Sequence, residues 1–410
     1  MPIIQRLGSA STRGFGQFGG GAYWIATLSG ASDRGIAVDS SGNVYVGGSA
    51  SGNMSLAKYN SGGTIQWQRT LGSGTGRDIA VDASGNVYVV GDSSATGVKL
   101  LILAKYNSSG TIQWQYSLGT STGNEGQGVA VDSTGNVYVT GIYNDSATGN
   151  EFLIAKYNSS GTIQWQRGLS NSSVNDQGYG IVVDSTGNVY VTGRSNEGST
   201  QYHIQLAKYS TSGTFQWQRK LDLGGSGSNG IAVDSTGNIY VAATTGYYAL
   251  LLKYNSSGTL QWQRILGNPI RSSYLGVVVD STDNVYVCGS ASSAILLAKY
   301  NSSGTLQWQR TLGNAFGYGV AVDLSGNFYV VGAQSSGGTT IAKLPGDGSL
   351  TGTYTVGSSS FTYAVSTLTE STPTYVSSVS GLTAVTSTLT AATSTLTDAA
   401  SSLTSTVTRI

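Results

Sequence analysis

The chain has 410 residues, 59 of them glycine, with charged residues at 10% and a formal net charge of +1. Such a composition fits a turn-rich β protein and lacks the electrostatic footprint that nucleic acid or an anionic membrane would require. A single cysteine, Cys288, excludes an internal disulfide and a cysteine-built zinc cage, and a single histidine, His203, leaves no Ser-His-Asp or Cys-His constellation to assemble.

Residues 1–21, MPIIQRLGSASTRGFGQFGGG, lack the apolar core of a secretory signal, and no run of 18 apolar residues occurs anywhere. The expectation is an irregular N-terminal attachment segment, with neither a signal peptide nor a transmembrane segment.

From residue 22 the chain repeats itself. Asp39, Asp82, Asp132, Asp184, Asp234, Asp280 and Asp323 fall in register at spacings of 43 to 52 residues, each inside a phrase such as VDSTGNVYVTG (131–141). Each copy reads as four short strands with apolar and polar residues alternating, as in GIAVD, NVYVGG, LAKY and TIQWQRTL. DSTGN turns the first strand into the second, with Asp capping and Gly supplying positive φ, and YNSSGT turns the third into the fourth. Four strands per 40 to 50 residues is the signature of a propeller blade, so an all-β, seven-bladed β-propeller of four-stranded antiparallel blades is predicted over 22–348.

Trp67, Trp114, Trp165, Trp217, Trp262 and Trp308 recur in QWQ as wedges in the fourth strand. Trp24 precedes Asp39 by 15 residues, as Trp67 precedes Asp82. The N-terminal strand 22–28 is therefore expected to fill the fourth slot of the last blade. SLTGTYTV (349–356) competes for that slot, with Gly352 where Trp would fall.

The repeated polar residues have structural readings. DSTGN brings one carboxylate and lacks the closing glutamate of a calcium loop, so no metal is expected there. Asn107, Asn158, Asn255 and Asn301 fit glycosylation sequons, but turn geometry explains them. Lys58, Lys105, Lys156, Lys208, Lys253, Lys299 and Lys343 fall in mid-strand and read as paired or snorkelling lysines, with a basic binding stripe as the alternative.

Sequence variation among the copies is one-sided. In an up-and-down blade the connections from strand two to three and from four to the next strand one emerge on one face, and the near-constant turns on the other. The variable set carries Tyr143, Tyr179, Tyr202, His203, Tyr247, Tyr248, Tyr274, Phe316 and Tyr318. Aromatic faces stack on sugar rings, and variable loops on a rigid scaffold are where recognition usually resides. Five residues before each repeated Asp stand Arg34, Arg77, Gln127, Tyr179, Asn229, Leu275 and Tyr318, expected around the mouth of the central channel. Their mixed chemistry favours one asymmetric pocket over a symmetric site.

After a linker at 349–364 comes a Ser/Thr/Ala-rich tail, 365–410. Leu368, Tyr375, Leu382, Leu389, Leu396, Leu403 and Ile410 stand seven apart, with Val365, Thr372, Val379, Thr386, Thr393, Ala400 and Val407 three residues before them. This 3-4 pattern predicts a helical heptad stalk that self-associates as a trimer, with a flexible linker as the alternative. Against it stand indifferent helix formers, Pro373 and the lack of flanking charges.

The recurring AVDSTGNVYVTG and LAKYNSSGTIQWQRTLG resemble the β-propeller repeat family called SBBP, over about residues 22–345. The flanks STRGFGQFGGG and PGDGSLTGTY, leading into the STLT tail, look similar to virion appendage proteins of tailed bacteriophages. Together these imply a non-enzymatic virion protein, a tail fibre or similar appendage, adhering to host-surface polysaccharide or protein. Its other partners would be virion proteins, and no cofactor, nucleic acid or membrane insertion is expected. The alternatives are a capsid or tail decoration protein and a polysaccharide-degrading enzyme with paired carboxylates on the variable face.

Overall fold

The computed structural model describes residues 23–365 except 94–96, 98, 120–122, 146–148, 171–174, 196–201, 222–226, 246–247, 267–275, 292 and 357. Beyond 365 it describes 370–371, 377–378, 383–385, 391–393, 398–400 and 405–409. The fold is an all-β propeller built from four-stranded antiparallel units, and its strands are distributed over six sheets. One sheet holds two sequence repeats because the strand Ile65–Val81 serves both. Its first half pairs with Asn53–Tyr59 and its second with Val87–Ser93.

The core lies in layers between neighbouring repeats. Tyr45, Leu56 and Leu71 of the first pack on Val87, Val89 and Ile102 of the second. A matching layer joins the last repeat to the first, with Trp24, Val331 and Ile341 against Val44, Val46 and Tyr59. First strands also touch in succession, and Ala31–Val38 touches Ala315–Val322. The N-terminal strand Trp24–Leu28 pairs with Thr339–Lys343 and so takes the fourth position of the last repeat. Gly352–Val356 does not compete for that position. It forms a hairpin with Ser359–Tyr363, which docks on Arg310–Leu312, so the expected linker at 349–364 contributes two strands to a sheet edge.

Short-range chemistry explains why the repeated phrase is constant. Asp39 Oδ1 accepts the N–H groups of Ser41 and Asn43, each at 2.9 Å, while Oδ2 accepts Asn43 Nδ2 at 2.8 Å and the Tyr45 hydroxyl at 2.9 Å. One carboxylate thus ties the turn to the second strand. The same four bonds recur through to Asp323, with Ser325, Asn327 and Tyr329. Burial works against ionisation of Asp39, but these donors outweigh it and hold the carboxyl below the usual range.

A second set of contacts latches each repeat to the next. Lys58 Nζ sits 5.1 Å from the Tyr45 ring centre and donates to Ser108 O at 3.1 Å. Trp67 Nε1 donates to that same carbonyl at 3.1 Å, and Arg69 Nε to Gly110 O at 2.7 Å. The lysines are therefore structural latches. At the closing junction Trp24 Nε1 donates to Ser61 O at 3.2 Å. The asparagines of the YNSSG turns are spent locally: Asn107 Oδ1 accepts from Ser109 N–H at 3.1 Å and Thr111 N–H at 2.9 Å.

The tail departs from its heptad reading. Among the described residues of 365–410 there is no helix. The backbone instead forms six short strands from Glu370–Ser371 to Ser405–Arg409, each lying against a fourth strand of the propeller. The correction has a physical basis in the composition: threonine and serine are indifferent in helices, whereas threonine and valine suit a pleated edge. No helix among the described residues is long and apolar enough to cross a membrane.

Candidate binding site at the variable end

In each repeat the two constant turns lie side by side. A Cβ on Gly42 would come within 3.2 Å of Ser61, and one on Gly85 within 3.2 Å of Ser108. At the opposite end the variable connections meet. Gly74 N–H donates to Gly52 O at 2.9 Å, Asn124 N–H to Lys99 O at 3.1 Å and Asp176 N–H to Asn150 O at 2.9 Å. Uniform and individual segments thus occupy opposite ends of the strands.

A β-bulge shapes the variable end. The strand register skips one residue between Asp33 and Gly35, Gly76 and Asp78, Gly178 and Gly180, Ser228 and Gly230, and Gly317 and Gly319. The skipped residues are Arg34, Arg77, Tyr179, Asn229 and Tyr318, and Gln127 is skipped likewise between Gly126 and Gly128. A bulge leaves one residue outside the ladder and re-aims its side chain. Glycine beside it is needed because the first strands approach closely: a Cβ on Gly35 would lie 2.8 Å from Ile79 N, and one on Gly319 2.8 Å from Arg34 O.

Three groups form on these bulges. Arg77 bridges two carboxylates, with Nε 3.2 Å from Asp92 Oδ1 and an η nitrogen 3.2 Å from Glu125 Oε2. Lys99 pairs with Glu125 and stands 3.9 Å from Asp92 Oδ2, while Gln127 Nε2 donates to Glu125 Oε2 at 2.9 Å. Burial raises the Asp92 carboxyl above its ordinary range against the pull of Arg77 and Lys99. In the second group the Arg194 guanidinium lies 4.2 Å from the Tyr202 ring centre and 5.6 Å from that of Tyr179. Its Nε donates to Gln177 Oε1 at 3.1 Å, which also accepts the Tyr179 hydroxyl. In the third, Arg34 stands 5.8 Å from the Tyr318 ring centre, joining the first repeat to the last.

The structure therefore brings together Arg77 with Gln127, Tyr179 with Tyr202, and Arg34 with Tyr318. Other candidates sit on separate strands. Tyr143 is half-buried against the layer between the second and third repeats, and Phe316 is half-buried in Ala315–Val322. His203 begins its strand opposite Ser195, Asn229 lies in Gly227–Val233, and Tyr248 begins its strand at 41% exposure. Tyr247, Tyr274 and Leu275 lie outside the described residues. Sequence reasoning passed over Arg194, Gln177, Asp92, Lys99 and Glu125. A register count would have found Arg194, which faces Gln177 across the strand pair. Among the described residues no group of three or more His, Cys, Asp or Glu is placed to hold a metal. A cleft of about 640 Å³ lies away from these groups, between Lys58, Trp67, Arg69 and Ser108 at the constant turns.

With strands, latches and bulges in place, comparison with known proteins decides the kind. The chain is a β-propeller repeat protein. A family model described as a beta-propeller repeat matches residues 17–53, 113–141 and 164–199. A second, described as outer membrane protein assembly factor BamB, matches 203–407, half of the chain, and the chain belongs to that family. No curated protein matches. Among solved structures, a catalytically inactive virginiamycin B lyase from Staphylococcus aureus with quinupristin is similar at 13% identity and a TM-score of 0.52, covering 78% of this chain and 99% of that one. The Dos1 propeller is similar at 9% identity and a TM-score of 0.50, covering 79% and 95%. At these identities the likeness shows the fold alone.

Proposed function

We propose that this repeat protein is a seven-bladed, non-enzymatic display ring whose variable end adheres to a host-surface glycan, on a virion appendage of the kind its flanks resemble. Seven Asp-capped turns and seven interlayer cores, the last joining repeat seven to repeat one, support the blade count. The separation of constant turns from bulged, chemically individual residues carries the adhesive reading. Its most developed patch is Arg194 held between Tyr179 and Tyr202, where flat aromatic faces and a fixed guanidinium suit a hydroxyl-rich or acidic sugar. Asp92 and Glu125 stand together at the variable end, but both are engaged by Arg77 and Lys99, which favours binding over cleavage at that group.

The test is an array of bacterial surface polysaccharides probed with the full chain and with Arg194→Ala and Tyr202→Ala. Binding reduced at least tenfold by either substitution supports the reading. Silence from a folded wild-type chain, or binding untouched by both, overturns it.

A further inference from the structure

We infer that the C-terminal segment is a strap that encircles the propeller, with its heptad acting as a ruler that delivers one strand to one repeat per seven residues. The register carries this. Tyr363 lies opposite Leu312, Glu370 opposite Leu266, Ser377 opposite Leu221 and Ala384 opposite Leu169. Ala391 then lies opposite Leu118, Asp398 opposite Leu71 and Ser405 opposite Leu28. Each partner is the leucine that follows QWQ in a fourth strand, or its counterpart Leu28. Successive tail residues in this series are seven apart without exception. The tail visits the repeats in reverse chain order, from the sixth to the first and then the seventh.

The reach of the chain bounds the step, since seven residues at about 3.3 Å each span at most about 23 Å from one fourth strand to the next. Four strand spacings of about 4.8 Å place the strap about 19 Å outside the first strands. Its last strand, Ser405–Arg409, covers Trp24–Leu28, the strand that closes the ring, and also touches the first strand of the strap hairpin, Gly352–Val356. Phe361 and Tyr363 anchor the start in the layer between the sixth and seventh repeats, both fully buried. The strap thus covers the outer strand edges, which would otherwise template pairing with other chains, and clamps the N-terminal strand in place.

Cross-linking in the full chain tests the ruler. Thr70 faces Ala399 and Ser117 faces Ala392. Directly opposed residues have Cβ atoms about 4.5–5.5 Å apart, within small adjustment of disulfide geometry. Mild oxidation of Thr70→Cys/Ala399→Cys and of Ser117→Cys/Ala392→Cys is expected to give intramolecular bridges, and the crossed pair Thr70→Cys/Ala392→Cys none. No bridge in the matched pairs, equal bridging in the crossed pair, or bridges between chains would each overturn the inference. Hydrogen exchange on the unmodified chain gives a second readout: protection should recur in the tail at seven-residue intervals. Continuous protection or none at all would refute it.

Discussion

Gly63 offers the sharpest test of how the ring is closed. It has φ of +80°, and an added Cβ would lie 2.7 Å from Trp24 Cδ2 and 2.8 Å from Cγ. Trp24 cannot retreat, being fully buried and stacked on Tyr59 with ring centres 5.9 Å apart. Gly326 is the matched control, with φ of +78° and nothing within 4 Å of its Cβ position. Alanine in the left-handed region costs about 1–2 kcal/mol, which is all that Gly326→Ala should lose. Gly63→Ala adds an overpacking cost of about 1–3 kcal/mol. Urea unfolding should therefore separate the two by about 2 kcal/mol. Trp24→Ala alone should cost about 3–5 kcal/mol. Once the indole is gone the added methyl has room, so the Gly63→Ala penalty should fall back to the backbone cost and the two mutations should couple by about 2 kcal/mol. Equal losses at Gly63 and Gly326, or additivity of Gly63→Ala with Trp24→Ala, would refute the junction as described.

Two predictions concern pH. Asp33 is fully buried, and burial pushes its carboxyl up to about 6, opposed by hydrogen bonds from Ser55 and Thr339. A raised folded-state value means the stabilising contribution is present below the unfolded value near 4 and is lost as pH climbs to about 6. Asp33→Asn, which keeps an acceptor for Ser55, should stabilise the chain above pH 6 by up to about 3 kcal/mol and flatten its thermal stability between pH 4 and 6. The turn carboxylates behave oppositely. Asp39, Asp82, Asp132, Asp184, Asp234 and Asp280 are all held below their ordinary value, so their contribution is present at neutral pH and is lost as pH falls below about 4. Asp132→Asn should lose about 1 kcal/mol in urea unfolding at pH 7, because its amide faces the donors Asn136 Nδ2 and Tyr138 hydroxyl, and the deficit should shrink at pH 3.

What could be read in advance was whatever a few neighbouring residues decide. The Asp39 turn needs only partners within six positions, so Asp, Gly and Asn announce it, and the Trp24 count of 15 residues extends the same logic to ring closure. The Arg194 patch was harder to see, because Gln177, Tyr179 and Tyr202 meet only through a register and a bulge that no short window contains. The tail shows a different failure. A seven-residue period is degenerate: it arises when 3.6-residue helical turns present a seam, and equally when an extended chain steps between fixed points spaced by the reach of seven residues. Period alone could not choose between them, but chemistry could. Charges that would flank a helical seam are missing, Pro373 stands early, and β-branched residues fall opposite propeller strands at several points, as Val365 against Arg310 and Val407 against Ala26. The number of heptad positions offered a further hint, for seven positions beside seven sequence repeats suit a belt that meets each repeat once, while a self-associating stalk has no reason to match that number.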